Sequence, residues 1–189
     1  MRATYFGDKN RFAIRYIPGY KTKGSNYYYA FLHLVLSGQI IGDSNESCFL
    51  LSWLASMKEL LNRIQERSEV MESGEFRDRS DEEIFELIWK ANQLEDEFDL
   101  TYDYLPILDS SVWAACHLSI DETTDAWLIT VTKEKDDLKF IWKGWRDPCP
   151  EDRIDKIYSV RIERELVIKT IKNCIHQLEK EYKQYPEMG

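Results

Sequence analysis

Residues 27–41, which read YYYAFLHLVLSGQII, decide the fold class of this chain. The run from Tyr27 to Leu36 is rich in aromatic, β-branched and aliphatic residues, which is typical of a strand. Ser37-Gly38 is a turn signal, and Gln39-Ile40-Ile41 then predicts a short strand that returns beside the first. This stretch therefore predicts antiparallel pairing.

The segments on either side extend this pattern. Upstream, Phe12 to Ile17 is rich in strand formers and is followed by Pro18-Gly19, which predicts a break before the next strand. Downstream, Gly42-Asp43-Ser44-Asn45 predicts a stop with good helix-capping residues. A helix is then indicated by apolar residues at three- and four-residue spacing: Leu50, Trp53, Leu54, Met57, Leu60, Leu61 and Ile64.

The rest of the chain is predicted to form a second helix, further strands and a last helix. Ser80-Asp81-Glu82-Glu83 has the capping-box arrangement and predicts a second helix, after a solvated connection from Glu66 to Arg79. Further strands are predicted at Val112–Ile120, Ala126–Thr132, Leu138–Trp145 and Ile157–Ile162, and a last helix at Glu163–Gln184. We therefore expect one α+β domain over residues 1–189, with a mainly antiparallel sheet packed by two or three amphipathic helices.

Acidic residues are concentrated in the middle of the chain. Between Ser80 and Asp137 there are sixteen acidic residues and three basic ones, a formal charge of −13, whereas the remainder carries +4. This distribution argues against nucleic-acid binding and is consistent with an acidic face for a basic partner. Simple solvation of the surface is the alternative explanation.

Length and composition argue against a membrane protein, a secreted protein and a metal-binding protein. No apolar run approaches the roughly 18 residues that cross a bilayer, and the N-terminus lacks a signal-peptide pattern, so we expect a cytoplasmic protein without membrane contact. The four cysteines have no metal-binding spacing, and no cofactor or metal is predicted. Oligomeric state is not specified by these patterns.

Candidate catalytic groups are few. Cys116 and His117 adjoin within a predicted strand, where neighbouring side chains point to opposite faces and do not form a nucleophile and base pair. Asp121 and Asp125 suit a hard cation but lack the pattern of a calcium loop. We therefore predict no catalytic residues and no enzyme, with a small metal-dependent hydrolase or nuclease as an alternative.

The segment 95–104 combines the two ingredients of a protein interface. Carboxylates steer a basic partner, and aromatic rings provide the stiff contact area of binding hot spots. The residues predicted to bind a partner are Glu95, Asp96, Glu97, Asp99, Tyr102, Asp103 and Tyr104. The alternative is that alternate residues of this segment face the core while the acids face water.

Two further aromatic groups are assigned to the core. Tyr27-Tyr28-Tyr29 with Phe31 places rings on both faces of one strand, so at least one tyrosine is expected to be exposed. Phe140, Trp142 and Trp145 form the second group.

Four local motifs are informative together: Phe6-Gly7, Phe12-Ala13-Ile14-Arg15-Tyr16, Gly38-Gln39-Ile40-Ile41-Gly42 with the helix after it, and Phe140-Ile141-Trp142-Lys143. In these motifs the chain resembles the immunity protein 42 family of bacterial polymorphic-toxin systems. These are packing and turn residues, and none is catalytic.

The resemblance implies a function. It implies an immunity protein that binds the C-terminal domain of a cognate secreted or contact-delivered toxin, in a contact-dependent growth inhibition or related system. An acidic inhibitor would suit a basic toxin such as a nuclease, whose substrate surface must attract phosphates. A general acidic adaptor protein is the alternative from another class.

Overall fold

The structure is a computed structural model and describes residues 2–24, 27–92 and 104–184. In the first half of the chain the strands are β1 (Thr4–Asp8), β2 (Phe12–Lys21), β3 (Tyr28–Leu36), β4 (Gln39–Ile41) and β5 (Cys48–Phe49), and the helices are α1 (Leu50–Glu66), α2 (Ser68–Met71) and α3 (Asp81–Asn92). The second half contains α4 (Ser110–Cys116), β6 (Trp127–Glu134), β7 (Asp137–Gly144), β8 (Ile157–Glu163) and α5 (Arg164–Gln184).

The first sheet is antiparallel, with strand order β1-β2-β3-β4 and with β5 also paired to β3. The predicted break at Pro18-Gly19 is wrong, because β2 continues to Lys21 through a β-bulge between Pro18 and Tyr20. Gly19 permits this path, since a Cβ atom there would lie 2.2 Å from the carbonyl oxygen of Tyr29.

Strand β1 was not predicted from the sequence. It packs against α5 through Gly7, whose φ is +90°. A Cβ atom on Gly7 would lie 2.5 Å from the carbonyl oxygen of Phe12 and 2.8 Å from Oγ1 of Thr170. The Phe6-Gly7 motif is thus explained by a close approach of backbone to helix that only glycine allows.

The second sheet is an antiparallel meander of β6, β7 and β8. The strand predicted at Val112–Ile120 is wrong, since its first part belongs to helix α4 and only His117 makes an isolated bridge, to Thr130. The Asp109 side chain accepts a hydrogen bond from the Ser111 amide at 2.8 Å and begins the helix. This cap and the two alanines outweigh the strand preference of Val112 and Trp113.

The three long helices agree with the apolar periodicity. Helix α1 buries its predicted stripe except for Leu61, which is partly buried, and α5 buries Val167, Ile171 and Leu178. The predicted N-cap of α1 at residues 42–45 is wrong, because β5 intervenes and the N-cap residue, Phe49, makes no side-chain cap bond. Helix α1 instead begins directly after strand β5.

The connection from Glu66 to Arg79 is more ordered than a solvated loop. It contains α2 and a 3₁₀ turn at Gly74–Phe76, and it buries Met71 and Phe76.

The core is a continuous apolar cluster that receives side chains from both sheets. The rings of Phe12 and Phe140, one from each sheet, have centroids 5.5 Å apart. Helices α1 and α5 lie against each other and against the first sheet, while α3 lies against β7 and β8. The predicted α+β class with antiparallel sheets is confirmed. In the described ranges, no helix combines the length and apolar character that a membrane span requires.

Candidate interaction surface

The acidic and aromatic segment predicted to bind a partner falls almost entirely outside the described residues. Glu95, Asp96, Glu97, Asp99, Tyr102 and Asp103 lie there, so their role stays a prediction. Tyr104 is described, and 69% of its surface is exposed. Ile107, three residues later, exposes 71%, so large apolar side chains reach solvent where the described chain resumes.

Many other acids of the middle stretch have structural partners. Glu83 and Asp109 accept hydrogen bonds from helix-terminal amides. Asp81 forms an ion pair with the buried Lys139, and Glu134 pairs with Arg161 at 3.0 Å. Concentration in sequence therefore does not by itself produce a single acidic face.

Acidic side chains do converge at one end of the second sheet, in a shallow groove of about 260 Å³. We name it the Trp145 groove, after the exposed indole beside it. Three turns line it, with Asp43, Glu46, Glu122, Thr123, Asp125, Ala126, Arg146, Asp147 and Pro148.

Backbone hydrogen bonds hold these turns together. The Asp43 amide donates to the carbonyl oxygen of Thr123 at 2.8 Å, and the Trp145 amide donates to that of Ala126 at 3.1 Å. Gly42 has a φ of +114°, and a Cβ atom there would lie 3.2 Å from the same Thr123 oxygen. The glycine thus lets the loop after β4 approach the turn before β6.

Asp121 shapes the middle turn. Its Oδ1 accepts a hydrogen bond from the Thr123 amide at 3.0 Å and from the Thr123 hydroxyl at 2.7 Å. The Thr124 hydroxyl completes a capping box with the backbone of Asp121. The turn therefore presents Glu122 and Asp125 outward on a fixed backbone.

A buried histidine supports the loop that carries Asp43. His33 is fully buried on β3, and its Nδ1 lies 3.1 Å from Nη1 of Arg15, which can only donate. The ring proton is therefore on Nε2, which donates to the carbonyl oxygen of Asp43 at 2.8 Å. Burial lowers the pKa of His33, so the ring is neutral at physiological pH.

Trp145 lies beside the groove and contacts two of its lining residues. Its indole Nε1 donates to the carbonyl oxygen of Asp125 at 2.7 Å, and 43% of the residue is exposed. The guanidinium carbon of Arg146 lies 4.4 Å from the ring centroid, in cation–π geometry. Arg146 Nη2 also lies 3.8 Å from Oδ2 of Asp125.

The groove is strongly negative. Five carboxylates line it against one guanidinium. Glu46, Glu122 and Asp147 are exposed, and none makes an ion pair within the described part of the chain. No three potential metal ligands, counted over the described residues, are grouped closely enough to hold a metal ion.

A second exposed surface is aromatic and lies on the first sheet. Tyr20 and Tyr29 stack with centroids 5.4 Å apart, and Phe49 contacts Tyr27 and Tyr29 at 5.3 and 6.0 Å. Tyr27 is 55% exposed and Tyr28 is buried, which confirms that the tyrosine run places rings on both faces of the strand.

The Cys116 and His117 pair lacks the chemistry of a nucleophile and base. The ring of His117 stacks on Trp113 at 3.9 Å, and burial lowers its pKa to about 4. Cys116 is fully buried, and burial raises the pKa of its thiol to about 12. A thiolate and imidazolium pair is therefore disfavoured at neutral pH.

Sequence reasoning missed the residues that define the groove. Trp145 was assigned to the core with Phe140 and Trp142, but only the latter two are fully buried. Asp43 was interpreted as part of the stop after a strand and as a helix-capping residue. The available signal was that Trp145 lies beyond the apolar run of β7, directly before Arg146-Asp147-Pro148.

Comparison with known proteins places this chain in a family. Residues 1–177 match the family described as immunity protein 42. The chain belongs to the immunity protein 42 family, and the resemblance seen in its sequence is confirmed. Its functional class is therefore toxin-neutralising immunity, with a toxin protein as the partner.

A solved structure shares the fold. The crystal structure of CdiI from Burkholderia dolosa AUO158 superimposes with a TM-score of 0.61 and 15% sequence identity, covering 92% of this chain and 99% of that chain. No curated protein matched the sequence.

Proposed function

We propose that this protein binds a cognate secreted or contact-delivered toxin domain and neutralises it stoichiometrically, inside the cell that produces it. Membership of the immunity protein 42 family is the observation that carries the proposal. The protein acts as a binder rather than an enzyme. The partner is the C-terminal domain of the toxin.

The partner surface is basic, as in a nuclease. A nuclease must present positive charge to engage phosphates, and that surface is complementary to an acidic inhibitor. The net charge of −9, the acidic segment at 95–103 and the Trp145 groove support this assignment. Tyr102 or Tyr104 serves as an aromatic anchor.

Electrostatic attraction matters most for the rate of association. Complementary charge raises association rates to about 10⁸–10⁹ M⁻¹s⁻¹ at low salt, against roughly 10⁵–10⁶ without it. A toxin that enters a cell must be intercepted before it acts, so a fast encounter is useful. We expect the association rate with the toxin domain to fall steeply as ionic strength rises.

The proposal is tested by co-expression with the C-terminal domain of the protein that the gene directly upstream encodes, as the candidate toxin domain. Growth is measured with the toxin domain alone and with both proteins, and the two are co-purified. Relief of toxicity together with a stable one-to-one complex is expected. Toxicity that persists at equal expression, with no complex, would contradict the proposal.

The predicted segment is tested in the same system. Charge reversal at Asp96, Asp99 and Asp103 is expected to weaken protection, with reversal of the exposed Glu69, Asp136 and Glu165 as the control that changes net charge equally. Full protection by the triple variant would remove this segment from the interface without affecting the immunity function.

A further inference from the structure

We propose that the Trp145 groove is a docking surface for an arginine side chain of the toxin domain, with Trp145 as the anchor. This inference rests on the proposed function and specifies part of its interface. It concerns residues 43–46, 122–125 and 145–147, which are different residues from the segment predicted at 95–104.

The shape and charge of the groove favour an extended organic cation over a metal ion. Its volume of about 260 Å³ exceeds what a single ion needs and accommodates a long side chain. The carboxylates lie on three different turns, and in the described residues none of them belongs to a cluster that could hold a metal ion. Dispersed negative charge around an open groove suits an extended organic cation.

The exposed indole of Trp145 favours arginine over lysine as the docked side chain. An exposed indole that borders an acidic groove matches the planar guanidinium, which stacks on rings and donates several hydrogen bonds in its plane. Lysine has a compact, strongly hydrated charge and gains less from such a wall.

The protein already shows this mode of binding within its own chain. Arg146 places its guanidinium 4.4 Å from the Trp145 ring centroid and 3.8 Å from a carboxylate oxygen of Asp125. Its side chain is half exposed, so solvent reaches this ion pair. The other carboxylates at the rim, on Glu46, Glu122 and Asp147, retain the capacity to pair with a second guanidinium.

The surface also has the construction of a binding hot spot. Trp145 is held by a 2.7 Å hydrogen bond to the carbonyl oxygen of Asp125, so its ring is ordered before binding. His33 and Asp121 fix the neighbouring turns from beneath. A preformed indole beside a negatively charged groove loses little conformational freedom when the partner binds.

The first experiment measures binding of the purified cognate toxin domain, identified by the co-expression test, to Trp145→Ala and to a Glu46→Lys/Glu122→Lys double variant. We expect Trp145→Ala to raise Kd by at least about 30-fold, as for an aromatic hot spot. The double charge reversal is expected to raise Kd by at least about tenfold and to slow association. The double variant leaves the core untouched, so it tests the inference even if Trp145→Ala folds poorly.

A matched control is available at the far end of the same sheet. The Asp136→Lys/Glu165→Lys double variant reverses two exposed charges there, and Asp136, in the β6–β7 turn, lies about 30 Å along the strand from Trp145 at roughly 3.3 Å per residue. Its Kd is expected to stay within about twofold of wild type. A loss as large as that caused by the groove variants would mean that net charge alone matters, and would overturn the inference.

The identity of the docked side chain is tested from the toxin side. Each surface arginine and lysine of the toxin domain is changed to glutamate and paired with Glu122→Lys. Recovery of affinity by one arginine-to-glutamate change would support the proposal. Recovery only by a lysine-to-glutamate change would overturn the arginine assignment.

Failure of this inference is distinguishable from failure of the proposed function. If wild type binds the toxin domain and the groove variants bind equally well, the groove is not the interface but immunity stands. If wild type neither binds nor protects, the proposed function fails first.

Discussion

At the scale of single residues, a buried arginine joins two helices of this protein. Arg63 of α1 is 7% exposed, and its Nη1 donates to the carbonyl oxygens of Ala114 at 3.2 Å and His117 at 2.6 Å. These carbonyls belong to the last turn of α4 and its C-cap residue. The guanidinium thus satisfies helix-terminal acceptors and lies at the negative end of the helix dipole.

Replacing Arg63 by methionine is expected to lower the free energy of unfolding by about 2–3 kcal/mol. Methionine keeps the apolar stem but leaves buried carbonyl oxygens without a donor. Urea denaturation followed by circular dichroism measures the change. Arg67→Met, on an exposed residue next to α1, is the control and is expected to change stability by less than about 0.5 kcal/mol.

At the scale of elements, the two predicted helix starts in the first half of the chain had different outcomes. Ser80 caps α3 reciprocally, because its hydroxyl accepts from the Glu83 amide while Glu83 Oε2 accepts from the Ser80 amide at 2.9 Å. Hydrogen bonds from Ser80 also lower the pKa of Glu83. Residues 42–45 have similar composition but form the loop between β4 and β5.

Ser80→Ala is therefore expected to destabilise the protein by about 1 kcal/mol, the usual cost of losing a helix cap. Ser44→Ala is the matched change at the loop that was predicted to cap α1, and it should be nearly neutral. Thermal unfolding of both variants beside wild type gives the comparison. Equal shifts in Tm would mean that the Ser80 cap contributes nothing specific.

These outcomes show which helices and strands could be predicted from the sequence. Periodicity identified α1, α3 and α5, because an apolar stripe must be buried whatever the tertiary arrangement. Val112–Ile120 was misread because a local cap at Asp109 opposed its strand preference. Strand β1 was missed because its pairing with β2 and its contact with α5 are long-range.

At the scale of the whole molecule, burial of histidine links folding to pH. Burial, followed by the nearby charge of Arg63, lowers the pKa of His117 to about 4, and burial also lowers the pKa of His33. The unfolded chain has ordinary histidine pKa values near 6.5 and therefore binds more protons between the two values. Stability contributed by these groups is complete above about pH 6.5 and is lost as pH falls toward 4.

We expect His117→Phe to flatten this dependence. Phenylalanine retains a ring against Trp113 but does not titrate. The free energy of unfolding, measured from pH 7 to pH 4, should fall less in the variant than in wild type. An unchanged slope would show that His117 does not contribute, and the remaining slope would then reflect His33 and the carboxylates.

The candidate surface was less predictable than the fold for a physical reason. Charge and aromatic content are visible along the chain, and they directed attention to 95–104. The Trp145 groove instead combines residues about 100 positions apart, namely Asp43, Glu46 and Asp147. Their proximity follows from the Gly42 approach and the packing of two sheets, which no local pattern encodes.

Near Asp121, the residues that hold the turns differ from the residues that the turns expose, and this affects how the protein can evolve. Asp121, His33 and Gly42 hold the shape of the turns, whereas Glu46 and Glu122 project from them into solvent. Substitutions at such exposed positions usually alter stability by less than about 0.5 kcal/mol. The exposed residues of these turns can therefore be substituted as the toxin changes in sequence, while the protein stays folded. Each immunity protein then becomes specific for the toxin of its own strain.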